Sequence, residues 1–360
     1  MVTKAHPQMI CINACTLDFQ YSAWRTQTQN VMTVSVRQLL TAMPVVDQQD
    51  WSGFGLAKRW LVACRAAVFS LTWFSVLVAG LLAAERSVFD PSGWLLCFFG
   101  LTFAHGTNNL INDYVDFRTG LDRDNYVRVR YGTHVLNDGL LTERHLVIYI
   151  VVTGLFGLIF GVSAVLYGGI NVIWPFFAGA LLLIAYTWPL KHWALGEVAV
   201  LLTWGPLMIA GTYQVMTGFW DWDIALIGLW LGIPQTLIIF GKHIDKLAFD
   251  RGRQVRTLPV LLGHQRSRQL VVCLAVAVYV GLVLFVALGM LPWLALIALG
   301  SLATSRKLLE VYRDGTPVEC PPDYPASLWP LWFTVHSFQW FRIFAGLLLL
   351  GLLADLLISI

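Results

Sequence analysis

The residues best suited to chemistry run from Asn109 to Asp124, as Asn-Leu-Ile-Asn-Asp-Tyr-Val-Asp-Phe-Arg-Thr-Gly-Leu-Asp-Arg-Asp. This stretch follows directly on an apolar run, Trp94 to Phe103. If that helix continues, His105, Asn109, Asn112 and Asp116 fall at i, i+4, i+7 and i+11, which is one stripe. A polar stripe ending in carboxylates at a membrane boundary is costly unless a cation satisfies it. Carboxylate and amide oxygens without thiols suit Mg²⁺, a metal usually shared with phosphate groups. Half of a metal–diphosphate site is therefore expected here.

A second polar cluster closes a later apolar run. It reads Phe240-Gly-Lys242-His243-Ile-Asp245-Lys246-Leu-Ala-Phe-Asp250-Arg251-Gly-Arg253-Gln-Val-Arg256. As a loop beside a membrane it is ordinary: basic residues touch lipid headgroups and the aspartates are counter-charges. Paired with the first cluster it reads instead as a second diphosphate station.

The composition sets the frame for both. Of 360 residues, 57% are hydrophobic and 12% charged, with mean hydropathy +0.67 and net charge +3. A soluble domain of this length needs more surface charge, so the chain is expected to be an all-α polytopic membrane protein. About nine spans can be placed, near 66–84, 93–112, 146–166, 172–189, 197–216, 224–241, 269–288, 292–304 and 341–359. Lys and Arg concentrate in alternate loops, after spans two, four, six and eight, which places those loops and the N-terminus in the cytoplasm. Residues 1–65 lack the pattern of a signal peptide and read as a poorly ordered cytoplasmic tail, leaving 66–360 as the membrane domain. The six cysteines are scattered and suggest neither a zinc site nor a disulfide framework.

Asn112-Asp113-x-x-Asp116-x-x-x-Gly120-x-Asp122 resembles the first aspartate-rich motif of the UbiA superfamily of intramembrane prenyltransferases. Further stretches agree, in order: Gly139-Leu-Leu-Thr-Glu, Ala185-Tyr186-Thr-Trp-Pro189-Leu-Lys191, Gly196-Glu197, Gly211-Thr-Tyr213, and Arg256-Thr-Leu-Pro259-Val-Leu-Leu-Gly263. Within the superfamily the Gly-Glu and Gly-Thr-Tyr stretches look most like 1,4-dihydroxy-2-naphthoate polyprenyltransferases. Two departures stand out. Gly132-Thr-His134-Val replaces a Gly-Pro-x-Arg stretch, and Lys246 stands where the second motif carries an aspartate, with Asp245 one position earlier. On an unbroken helix Asp245 and Asp250 point about 140° apart, whereas Lys246 and Asp250 share a face. Either a local break turns Asp245 inward, or Lys246 contacts the diphosphate directly.

The resemblance implies about nine helices around a central cavity and Mg²⁺-dependent transfer of a polyprenyl group from its diphosphate to an aromatic acceptor. It makes Asn112, Asp113, Asp116, Asp122, Asp245 and Asp250 the metal-side candidates. Asn109, Arg128, Arg130, Lys191, Lys242, Lys246 and Arg256 are the substrate-side candidates. Departure of the diphosphate leaves an allylic cation, which an apolar, aromatic-lined cavity protects from water; Tyr186, with Tyr213 behind it, is the candidate aromatic. His105 and Glu197 are read first as interhelical and helix-start residues, and second as acceptor contacts. The implied partners are polyprenyl diphosphate, the aromatic acceptor and membrane lipid, with no nucleic acid and no protein partner. The alternatives are another acceptor (4-hydroxybenzoate, homogentisate, a chlorophyllide or glyceryl phosphate), a non-catalytic prenyl-lipid binder, or a transporter, whose polar groups belong at mid-membrane.

Overall fold

A computed structural model describes residues 34–120, 132–187 and 189–359. Residues Val36–Ile360 form one compact unit. Three short helices, α1 (Val36–Thr41), α2 (Gln48–Gly53) and α3 (Leu56–Ala63), belong to it, so this unit begins well before the expected boundary at residue 66.

The apolar runs then form α4 (Phe69–Glu85), α5 (Pro91–Arg118), α6 (Glu143–Gly168), α7 (Ile173–Thr187), α8 (Gly196–Leu202) continuing into α9 (Met208–Thr217), and α10 (Trp222–Asp245). Two short helices follow, α11 (Leu247–Gly252) and α12 (Leu258–Leu262). The chain ends with α13 (His264–Ala287), α14 (Leu302–Asp314) and α15 (Trp332–Ser359). The described residues carry no strand. Among them, six helical stretches are long and apolar enough to cross a membrane: 66–85 and 196–217 together with α6, α10, α13 and α15. The helix through α7 is apolar but shorter. α5 is long, but its second half carries the polar stripe.

Caps explain several starts. Asp90, Thr142 and Asp221 each accept from the first free backbone N–H groups of α5, α6 and α10. α10 is central, with 78% of its most apolar stretch buried, whereas the corresponding stretch of α6 is 11% buried and presents its apolar side outward. Between α8 and α9 the helix loosens into a π-type turn, Thr203–Leu207, containing Pro206. There Gly205 lies so close to α10 that a Cβ on it would stand 2.7 Å from the Gly228 carbonyl oxygen. Only glycine permits that approach.

α4 to α10 and α15 line a chamber of about 830 Å³ that follows α5 from Leu96 to Asn112. Its interior wall is mostly aliphatic and aromatic. Thr41, which ends α1, and Ala42 and Met43 after it form part of the wall. Met43 lies against Gly132, whose φ of +93° and lack of a Cβ leave room for it. Thr133 fixes the same strip, donating from its backbone to the Pro44 carbonyl and accepting from Val46 N at 2.7 Å.

Candidate active site

α5 runs unbroken from Pro91 to Arg118, so the stripe read from the sequence lies on one helix face. His105, Asn109 and Asn112 line the chamber. One turn beyond, Asp116 is buried and accepts from Asn112 Nδ2 at 3.1 Å. Lys191, on the short turn after α7, donates to both Asp116 oxygens at 3.2 Å. Burial alone would lower the Lys191 pKa, but Asp116 first, then Tyr186 and Asp250, outweigh it and hold the ammonium above the usual lysine range. Asp116 and Asp250, one from each polar cluster, both act on this lysine. A second link agrees, because Arg253 Nη1 reaches the Gly120 carbonyl at 3.5 Å.

The second cluster resolves the register question. α10 ends at Asp245, Lys246 caps it with φ −95° and ψ 1°, and α11 restarts at Leu247. This break does not turn Asp245 toward the mouth. Its carboxylate accepts from Phe333 N at 3.0 Å, Thr334 N at 2.9 Å and the Thr334 hydroxyl, capping the start of α15. Asp245 is therefore an anchor for α15, and its oxygens are taken. Lys246 instead is buried with its Nζ 3.5 Å from Asp250 Oδ1. Lys242, one turn earlier, lines the chamber within electrostatic reach of Arg65, Lys191, Lys246 and Asp116.

Other candidates separate. Asn109 spends its amide on the scaffold: Nδ2 donates to the Cys64 carbonyl at 2.8 Å. Arg256 is exposed on the loop before α12 and lies outside the chamber wall. Asp113 is buried and spends its carboxylate on Arg65, paired at 3.2 Å. Asp122, Arg128 and Arg130 lie outside the described residues. Tyr186 lines the chamber, whereas Tyr213 is packed near Phe219 and Arg86, beside Asp221 at the start of α10. His105 bonds Thr72 through Nδ1 at 2.8 Å, the interhelical role expected of it, and also faces the cavity. Glu197 is buried against His243 at 2.6 Å and accepts from Leu258 N at 3.4 Å, tying α8, α10 and α12 together. It is not part of the chamber wall.

Two residues were missed. Arg65 precedes α4 in a left-handed conformation (φ +53°), lines the chamber, and is held by Asp113 and the Asn109 side chain. Its sequence signal was weak, a lone arginine at the edge of an assumed tail. Trp204, in the π-type turn, presents its ring to the chamber and donates to Thr72 Oγ1 at 3.3 Å. No spacing pattern marks it among 16 tryptophans.

The mouth thus combines oxygen ligands and ammonium groups above an apolar pocket. Among the described residues no three acidic, histidine or cysteine side chains group as a metal site. The donor chemistry nevertheless fits a hard cation: Asp116 and Asp250 are buried carboxylates whose side-chain partners, among the described residues, are an ammonium at 3.2 to 3.5 Å and, for Asp116, the Asn112 amide. An arrangement of this kind can hold a diphosphate by its oxygens while the attached chain enters the pocket.

Comparison with known proteins agrees with the fold. A solved structure reported as digeranylgeranylglyceryl phosphate synthase in membranes superposes with TM-score 0.56 at 15% identity, covering 83% of this chain and 98% of that one. The chain is 25% identical over 282 residues to the 1,4-dihydroxy-2-naphthoate octaprenyltransferase of Escherichia coli, covering 74% of this chain and 88% of that protein. It is 27% identical over 210 residues to the 2-carboxy-1,4-naphthoquinone phytyltransferase of Synechocystis. That match takes in 56% of this chain and 64% of the relative, under two thirds of its length. The UbiA prenyltransferase family profile matches residues 72–329, well over half the chain. The chain belongs to the UbiA prenyltransferase family.

Proposed function

We propose that the protein transfers a polyprenyl group from its diphosphate to an aromatic acceptor, with a 1,4-dihydroxy-2-naphthoate-like acceptor favoured. The observation that carries this reading is Lys191 bonded to Asp116, which also accepts from Asn112 in the wall of the apolar chamber. Lys191, Lys242, Lys246 and Arg65 bind the diphosphate oxygens, and the chamber takes the prenyl chain. These cations favour the transition state over the bound substrate, because charge grows on the departing diphosphate as the allylic C–O bond breaks. Tyr186 and Trp204 face the allylic carbon with their π surfaces, and the aliphatic wall keeps water away. The diphosphate leaves with the electron pair of the allylic C–O bond, a ring carbon bonds the allylic carbon, and that ring carbon loses the proton it carried, or its carboxylate as CO2, to restore aromaticity.

Asn112, Asp116 and Asp250 would hold Mg²⁺, with Asp113 acting through Arg65 rather than on the metal. When bound, Mg²⁺ neutralises diphosphate charge. The naphthoate preference is supported by the E. coli and Synechocystis relatives. The bundle is proposed to span the membrane about nine times, with the mouth and the N-terminus cytoplasmic, as the basic loop 242–268 supports.

The test is transfer by the reconstituted protein from labelled geranylgeranyl diphosphate to a panel of aromatic acceptors. Asp116→Ala should abolish product while the protein still expresses and folds. Near-normal turnover by that variant would refute the assignment.

A further inference from the structure

The residues that line the chamber include three strongly basic side chains, Arg65, Lys242 and Arg342, and no carboxylate among the described residues. Two of these belong to the mouth. The third is deeper. Asp245 caps α15 at Phe333, so the end of α10 and the start of α15 are level. At an α-helical rise of about 1.5 Å per residue, Lys242 lies about 4.5 Å and Arg342 about 13 Å below that level. Arg342 therefore sits roughly 9 Å beneath the diphosphate-binding lysine.

A cation at this depth is costly unless something answers its charge. Among the described residues no hydrogen bond or ion pair does so for Arg342. Its neighbour one turn back on the same face, Gln339, also lines the chamber. Both are exposed, on the face of α15 that borders the cavity. Guanidinium and carboxamide together offer the fork of donors that matches a carboxylate. The diphosphate is already accounted for at the mouth, which leaves this pair open to a second anion.

We propose that Arg342, with Gln339, anchors the carboxylate of the aromatic acceptor inside the chamber, placing its ring between this pair and the allylic carbon. The proposal rests on the prenyl-transfer reading above and adds to it a residue that selects carboxylated acceptors.

The test uses the full chain in phosphatidylcholine nanodiscs, with 1,4-dihydroxy-2-naphthoate and its 2-carboxamide as binding probes and geranylgeranyl diphosphate with Mg²⁺ as a separate probe. Wild type should bind the carboxylate more tightly than the carboxamide. Arg342→Gln should weaken carboxylate binding roughly tenfold to a hundredfold, the usual loss for a charge-assisted pair, with carboxamide and diphosphate binding within about twofold of wild type. Arg342→Lys should recover part of the loss. Unchanged carboxylate binding in Arg342→Gln, or an equal loss for both acceptor probes, would overturn the anchor. So would an effect confined to nanodiscs containing phosphatidylglycerol, which would assign Arg342 to a lipid phosphate. Failure of wild type to bind the diphosphate would instead sink the prenyl-transfer reading itself, so the two failures are distinguishable.

Discussion

Positions 245 and 246 put a carboxylate and an ammonium side by side, and the structure sends them to different tasks. Asp245 holds the first turn of α15, while Lys246 stays with Asp250 at the mouth. Asp245→Ala should therefore cost stability, about 1–2 kcal/mol by analogy with lost helix caps, seen as a lower Tm in detergent with the KM for diphosphate little changed. Lys246→Ala should instead raise the KM for diphosphate several-fold with little change in Tm. The opposite ranking would return Asp245 to the metal set. The stripe on α5 was legible because helical spacing alone fixes it. The fate of Asp245 was not, since its partners, Phe333 and Thr334, lie far along the chain. Arg65 escaped for a related reason: its left-handed backbone and its pairing with Asp113 are products of tertiary contact. Arg65→Ala should lower diphosphate affinity about tenfold, measured by direct binding, since it removes one charge-assisted contact.

Among elements, the apolar runs announced their helices, and the caps Asp90, Thr142 and Asp221 mark starts that propensity alone leaves soft. The segmented elements were harder to see. The expected eighth span, near 292–304, is in part a 3₁₀ helix, Trp293–Ser301, that leads into α14. The fifth is broken by the π-type turn at Gly205 and Pro206. That break has a use, because it brings Trp204 to the chamber while Gly205 seats against Gly228. Gly205→Ala should force the two helices apart, costing about 1–3 kcal/mol, and should lower the thermal midpoint of the purified protein by several degrees. An unchanged midpoint would show that the contact yields freely.

For the molecule as a whole, both acidic clusters were visible as sequence and were expected to meet at one cavity, but the contacts that join them were not. Arg253 of the second cluster reaches Gly120 at the end of the first, and Lys191, from a third stretch of chain, holds Asp116. If the clusters' joint task is to share magnesium around a diphosphate, chelation with EDTA should stop transfer and added Mg²⁺ should restore it, as read by labelled product. Persistence of transfer in EDTA would leave the lysines and Arg65 as the sole diphosphate contacts. The strip around Met43 has its own bearing on chemical fidelity. An allylic cation does not discriminate between a ring carbon and a water molecule, so whatever seals the wall decides how often the donor is squandered. Met43→Ala should leave a folded enzyme that releases more free prenyl alcohol per molecule of prenylated product, a ratio readable by chromatography of a single reaction.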